Sequence, residues 1–525
     1  MKVMKKIYTL LVIALAVVAS SSCGHLLDID QKGVLSYEDF YQTDEDCDEA
    51  VTALYYQVKQ LLMGQYSPTF VTNLLSDDCY CGASARLASD DKEAINEYRF
   101  DSSNAVIEDL FEGLYVTINR ANLIINNFED GTSDTMVRAV AEARVFRAYC
   151  YLHLTSLFGP VPLVTEAVRD DYKASNSTVE ELWALVESDL LAAIDSDALP
   201  VKTSIDDTET GIRVTNDFAK ALLGKAYVYQ EKWSDAVTYL DEVVNCGRYG
   251  LLEDYEDYDD AVNNNNKEIL FSDNKTNNSD NEGCFTRVLY GWNSNYLDGL
   301  GVGNDMNILG FGFQTPSATL VQAFIDMEGE DGYRFKGTIK SYEDMVDMGI
   351  TVKTGSEVYA CCGYEYYKIR ITQSNLVTGT YLYTWVNDTA MRLGEVVLLA
   401  AEAHIMLGDG EGDTYINMIR NKAQLPELSG ATMDDLKAEK RLELCIEGCR
   451  YQDLVRWGDA HDVMKDQWEK IPNFAGYDDD GNYEINYPSA NVNTIYGFVE
   501  GKHELLPIPL TELNVNPNIS QNPNW

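Results

Sequence analysis

Residues 219–244 read AKALLGKAYVYQEKWSDAVTYLDEVV. Leu223-Gly224, Tyr227, Ala236 and Leu240 fall at the spacing of a tetratricopeptide helix pair. Gly224 and Ala236 are small where two helices must approach closely, and Glu231-Lys232-Trp233 sits at the turn between them. A looser second copy follows far downstream. Leu393, Val396, Val397, Ala400, Ala403 and Leu407 form one apolar stripe, Gly408-Asp409-Gly410 breaks it, and Ile416 and Ile419 resume it. Repeat units bury their apolar faces by stacking, so one good copy implies others that have diverged. Two further stripes have helical period: Leu110, Leu114, Ile118, Ala121, Ile125, and Ala141, Val145, Ala148, Leu152. Gly159-Pro160-Val161-Pro162 ends the second. The expected fold is mostly α, a tetratricopeptide-like helical scaffold with long irregular loops and a few short strands.

Composition narrows the partners. The chain has 525 residues, 45% of them apolar, which suffices for a sizeable core. Lys and Arg number 40 against 85 Asp and Glu, a formal charge of −45. Phosphate binding needs a basic face, so nucleic acid is excluded as a partner, and sulfated or uronate-rich ligands are disfavoured. The 5 His show no metal-ligand spacing, and no metal or cofactor is expected. Tyrosine is abundant at 34 residues, as suits a carrier of neutral polar ligands.

The amino terminus sets the compartment. MKVMKK is a basic lead, Ile7 to Val18 is almost wholly apolar, and Ala19-Ser20-Ser21-Ser22 precedes Cys23. The apolar run is too short to span a bilayer and fits the core of a secretory signal. Small residues before a cysteine look like a bacterial lipoprotein cleavage site, which makes Cys23 the lipidated residue and residues 1–22 a leader. Ser20 stands where leucine is usual in such sites. An ordinary signal peptide with a chance cysteine is the competing reading. Of the remaining ten cysteines none form paired CxxC motifs, so a zinc ribbon is excluded. Cys445 and Cys449 are read on one helix face. Export permits disulfides, but small buried thiols are the expectation for most.

Three segments tempt a catalytic or ion-binding reading. Glu439, Glu443 and Glu447 recur every four residues in a charged segment, 439–458, read as one helix. Glycosidase carboxylates must face each other across a sugar from separate elements, so an ion-pair network locking helices together is expected there instead. The glycines of 299–303 lack the spacing and the Lys-Ser/Thr of a phosphate cradle. Asp478-Asp479-Asp480-Gly481-Asn482 has its glycine too early for a calcium loop and reads as a solvated turn. No catalytic residue is assigned.

The aromatic loops carry the functional signal. Residues 254–315 and 472–500 are rich in Asn, Asp, Gly and Tyr, with little periodicity. Within the first, Tyr290-Gly291-Trp292-Asn293-Ser294-Asn295-Tyr296 sets three large rings among amides. Sugar rings offer apolar faces for Trp or Tyr to stack on and a hydroxyl rim for Asn, Asp and Arg to grip. A second loop, 76–90, carries Tyr80 and Arg86. The candidate ligand residues are therefore Trp292, Tyr296, Tyr290, Asn293, Tyr80 and Arg86, with Trp292 as the stacking platform. Tyr364, Tyr366 and Tyr367 form a third cluster whose alternation suits a strand.

Taken in order, the motifs resemble those of the SusD/RagB outer-membrane lipoproteins of Bacteroidetes. They include Tyr115-x-x-Ile118-x-Arg120-Ala121-Asn122, Ala141-Glu142-Ala143-Arg144-x-x-Arg147-Ala148-Tyr149, and Leu157-Phe158-Gly159 with Val161-Pro162-Leu163. Arg392-Leu393-x-Glu395, Glu439-Lys440-Arg441-Leu442-Glu443-Leu444, Glu447-Gly448-x-Arg450 and Asp453-Leu454-Val455-Arg456-Trp457-Gly458 follow, and the tail closes with Leu506-Pro507-Ile508-Pro509. The resemblance implies a lipid-anchored, cell-surface protein of the outer membrane that captures glycans. It also implies delivery to a SusC-like TonB-dependent transporter, and scaffold roles for the charged motifs. It carries over no ligand residue. The expected organisation is an N-terminal SusD-like helical region, 23–250, packed with a C-terminal region, 251–525, as one unit. The alternatives are a lipid-anchored glycoside hydrolase and a tetratricopeptide scaffold that binds only protein.

Overall fold

The computed structural model describes residues 40–167, 173–278, 286–466, 471–487 and 497–525. The leader, Cys23 and Cys284 lie outside these residues.

The long helices begin where short polar side chains can satisfy their free amides. Thr43 caps Asp44–Leu62, Asn104 caps Ala105–Phe128, Ser133 caps Asp134–Phe158, Thr178 caps Val179–Asp195 and Thr215 caps Asn216–Tyr229. Thr43 with Asp46 and Thr178 with Glu181 close reciprocal capping boxes.

These helices stack in sequence. Ala105–Phe128 packs on Asp134–Phe158, then come Val179–Asp195, Asn216–Tyr229 and Trp233–Val244. The next layer is Leu393–Leu407, followed by Gly412–Lys422. Both tetratricopeptide-like pairs are therefore present, and the second docks directly on the first although residues 245–392 intervene. The close approach rests on Gly224: a Cβ there would lie 2.5 Å from the Leu240 side chain. Two tyrosines, Tyr227 and Tyr239, face each other across the same pair.

Strands are short, in sheets of two or three. Ile269–Ser272 pairs antiparallel with Thr389–Arg392, which leads the intervening chain back to the scaffold. Tyr364–Tyr366 is a strand, as the alternation indicates, and pairs with Ile339–Ser341. The segments read as loop at 254–315 and 472–500 hold more order than expected. The first contains the buried strand Ile269–Ser272 and the helix Thr286–Tyr290. The second contains the hairpin Asn473–Tyr477 with Tyr483–Asn486. A four-residue strand buried on both faces shows no alternation, so its sequence is silent.

One core runs from Cys47 to Ile508 and gathers the helical stack. A second, smaller core is built from Trp292, Leu297, Leu300, Met306, Tyr342, Met345, Ile350, Val358, Cys361 and Phe474. Among the described residues every cysteine is a free thiol, and all but Cys246 are buried.

The segment 439–458 is two helices, not one. Met433–Glu443 ends, Ile446 and Gly448 take positive φ, and Arg450–Trp457 starts afresh. Cys445 and Cys449 consequently do not share a helix face.

Candidate site on the aromatic loops

Three segments distant in sequence meet at one surface. Cys79–Tyr80 pairs antiparallel with Thr315–Pro316. Just beyond that pair the backbones touch: a Cβ on Gly82 would lie 1.9 Å from the Gly312 carbonyl oxygen, and one on Gly310 would lie 2.4 Å from the Trp292 carbonyl oxygen. The glycines of the polar loop thus serve close backbone packing. The Asn293 amide nitrogen donates to the Ala83 carbonyl at 2.8 Å, and the Tyr296 hydroxyl donates to the Ser84 carbonyl. The two loops singled out by composition are neighbours in space.

Most of the residues expected to touch ligand instead hold these loops together. Trp292 is 2% exposed, its indole nitrogen donates to the Tyr366 carbonyl at 2.8 Å, and its ring sits in the second core. It presents no face to a ligand. Tyr290 packs on Phe70 with ring centroids 5.6 Å apart. Asn293 is buried against the Ala83 carbonyl, and buried Tyr80 accepts a hydrogen bond from the Ala318 amide at 3.3 Å. A large ring next to small residues fills a core as readily as it lines a surface, and burial of its apolar area decides which.

Arg86 and Tyr296 remain at the surface. Arg86 is exposed, with its guanidinium on the buried Glu97 carboxylate (Nη2 to Oε2, 3.0 Å) and 3.5 Å from the Tyr359 hydroxyl. Glu97 also accepts from Arg99 at 2.7 Å, so two guanidiniums compensate its burial. Glu93 lies beneath the loop and accepts from the Leu87 amide at 2.8 Å. Burial pushes its carboxyl above the ordinary range, against the pull of that amide. Tyr296 is half-buried, and burial raises its phenol. Lys353 steadies the loop by donating to the Ser294 and Asn295 carbonyls at 2.9 and 3.0 Å.

Around these two lie side chains that the sequence did not single out. Leu87 is 57% exposed, and Phe311 and Phe313 are half-buried with centroids 6.2 Å apart. The alternation Gly310-Phe311-Gly312-Phe313 was the available signal for the phenylalanines. Tyr359 and Lys353 had none, because tertiary folding alone brings them here. The surface combines apolar rings, a fixed guanidinium and carbonyl acceptors, a set suited to stacking on and hydrogen bonding a polar ring.

Comparison with known proteins places this fold. The profile of the "SusD family" matches residues 267–525, and one described as "Starch-binding associating with outer membrane" matches residues 34–231. The chain belongs to the SusD/RagB family. A SusD-like protein of Bacteroides ovatus is 24% identical over 568 residues, covering 98% of this chain and 97% of its own. Among solved structures, a "Laminarin binding SusD-like protein" superposes with TM-score 0.77 at 24% identity, over 92% of this chain and 100% of that one. Surface glycan-binding protein A from Bacteroides thetaiotaomicron, solved with laminarihexaose, superposes with TM-score 0.74 at 20% identity, over 92% and 100%.

The charged motifs of this SusD/RagB chain form a buried lattice, as their spacing indicated. Arg334, fully buried, meets Glu328 and Glu439 at 2.7 Å. Arg392 meets Glu268 and Glu447 at 2.6 Å and Glu443 at 3.0 Å. Burial opposes ionisation of Glu443, but Lys422, Arg392 and Arg334 overcome it and hold the carboxyl well below its usual range. The turn Asp478–Asn482 is exposed, its Asp478 carboxylate accepting from the Asp480 and Asn482 amides at 2.9 and 2.8 Å. Among the described residues no cluster of three or more His, Cys, Asp or Glu is arranged to hold a metal, and no helix is long and apolar enough to cross a membrane.

Proposed function

We propose that this SusD/RagB chain is a cell-surface glycan-binding lipoprotein, anchored in the outer membrane through Cys23. It captures a neutral oligo- or polysaccharide and passes it to a SusC-like TonB-dependent transporter for uptake. The observation that carries the reading is the junction of the 79–88 and 290–296 loops, which leaves Arg86 and Tyr296 together at the surface. Relatives named for laminarin and surface-glycan binding share the fold, which supports the ligand class. A binding role without catalysis is supported by the state of the motif carboxylates. Glu439, Glu443 and Glu447 each face a guanidinium or ammonium partner inside the protein, which leaves them no free acid–base role.

Tyr296 supplies the ring face and Arg86 the donors for hydroxyl oxygens. Native gels cast with single neutral polysaccharides test the reading. The parent is retarded on at least one. Tyr296→Ala and Arg86→Ala weaken that retardation about thirtyfold when the residue is a central anchor. A parent that migrates freely on every polymer overturns the reading, as does release of reducing sugar. Mild detergent extraction and pull-down test the transporter partner.

A further inference from the structure

A cavity of about 250 Å³ lies apart from the loop junction. Its walls come from the helices Tyr333–Thr338 and Tyr342–Asp347, the strand Tyr364–Tyr366 and the hairpin strand Tyr483–Asn486. It holds two features that the glycan reading has not used, the tyrosine cluster at Tyr364 and the hairpin that follows Asn473.

Tyr364 and Tyr483 line it as a pair of half-buried rings, edge to face, with centroids 5.9 Å apart. The Tyr364 hydroxyl makes no hydrogen bond among the described residues, and the carboxylates of Glu330 and Glu343, also on the wall, take part in no ion pair or hydrogen bond there. Lys336 sits between the remaining two carboxylates, 3.4 Å from Asp331 and 3.5 Å from Asp344. The protein thus lines one concavity with two ring surfaces, uncommitted acceptors and a single ammonium.

That set fits a pyranose. The apolar face of the sugar packs on tyrosine. Its hydroxyls donate to carboxylates, the stronger kind of hydrogen bond for a neutral donor. Four carboxylates against one ammonium repel uronates and sulfated sugars. The cavity also has a fixed relation to the first site. One three-stranded sheet runs Tyr483–Asn486, Asn473–Tyr477, Val358–Tyr359. Tyr483 on one edge lines the cavity, and Tyr359 on the other lies 3.5 Å from Arg86. Those edges are two strand spacings, roughly 10 Å, apart, and the register sets Tyr483, opposite Tyr477, four residues along the sheet from Tyr359, opposite Asn473.

We infer that this cavity is a second saccharide subsite, holding a neutral segment of the same polysaccharide whose other segment lies on Arg86 and Tyr296. The inference rests on the glycan-binding function proposed above. Joining two contacts through one ligand chain makes the second contact intramolecular, so a long glycan gains avidity that a short one does not.

The test uses the purified protein on gels cast with laminarin, xyloglucan, galactomannan or amylopectin, together with a disaccharide of whichever polymer retards it, too short to reach both sites. Tyr364→Ala removes a ring, and Glu343→Gln removes a charge with little risk to folding. Each is expected to weaken retardation by the polymer at least about tenfold, with disaccharide affinity at the Arg86–Tyr296 site unchanged and the melting midpoint of Glu343→Gln held near the parent's. If both variants match the parent on a polymer that the parent binds, the second subsite is overturned and the first stands. A parent that binds none of the polymers overturns both readings. Retention of polygalacturonate as strong as that of the neutral polymer also overturns the assignment.

Discussion

The indole nitrogen of Trp292 donates to the carbonyl oxygen of Tyr366 at 2.8 Å, fixing the loop that carries Tyr296 to a strand more than seventy residues downstream. The ring is a strut of the second core. Trp292→Ala removes a large buried side chain and leaves that carbonyl unpaired, which is expected to cost about 3–5 kcal/mol. The thermal midpoint should fall clearly. Tyr296→Ala, half-buried on the same loop with its hydroxyl on the Ser84 carbonyl, should lower it less. A parent-like midpoint for Trp292→Ala would contradict the burial.

Arg392→Met tests the charged lattice. The guanidinium serves Glu268, Glu443 and Glu447 together, and removing it strands buried carboxylates. Breaking such a group is expected to destabilise by about 3–5 kcal/mol. Arg86→Ala takes one of two guanidiniums from the buried Glu97 carboxylate, which Arg99 still serves, and is expected to cost less than Arg392→Met. Chemical denaturation of the two variants side by side gives the comparison.

His404 makes stability depend on pH. Its Nδ1 lies 2.8 Å from Asp409 and its Nε2 3.1 Å from Asp241. Carboxylates only accept, so both bonds need the doubly protonated ring. Burial opposes that charge, but the two carboxylates overcome it and raise the imidazole above its ordinary value. The folded pKa exceeds the unfolded one, so this stabilisation is full below about pH 6.5. It is lost as pH rises through the folded value. The midpoint should therefore drop on the alkaline side, and His404→Gln should flatten that drop. His153 and His503, held neutral by burial down to about 3, act in the opposite sense below pH 6.5, so the variant is compared with its parent at each pH.

At Gly224 the sign of a mutation reports the packing. Glycine to alanine inside a free helix stabilises by roughly 0.5–1 kcal/mol. Here the new methyl would sit 2.5 Å from Leu240. Overpacking of that kind is expected to cost about 1–3 kcal/mol. Gly224→Ala should lower the midpoint, and adding Leu240→Ala should give a double variant whose loss is smaller than the sum of the single losses.

For Cys23, which lies outside the described residues, replacement by serine is expected to release the protein from the outer-membrane fraction. A single acyl chain holds only marginally, and several hold stably. A Cys23→Ser protein that still pellets wholly after a high-salt wash would remove the lipid anchor from the proposed function.

Helical periodicity was enough to place the scaffold. Leu223, Gly224, Ala236 and Leu240 announce their helix pair because local geometry puts them on one face whatever the rest of the chain does. The glutamates at 439, 443 and 447 announce a lattice because that much buried charge needs partners. Other features depended on contacts between distant segments. Whether Trp292 or Tyr296 faces solvent rests on the close approach of Gly310 and on the Tyr366 carbonyl, far along the chain. Cys445 and Cys449 parted because Gly448 turns the backbone between two helices. The candidate site was half legible: composition singled out two loops that the fold makes neighbours, but an aromatic ring among amides reads the same inside a core as on its surface. Only the tertiary fold, by burying one ring and leaving the next at the surface, separated structural support from candidate binding face.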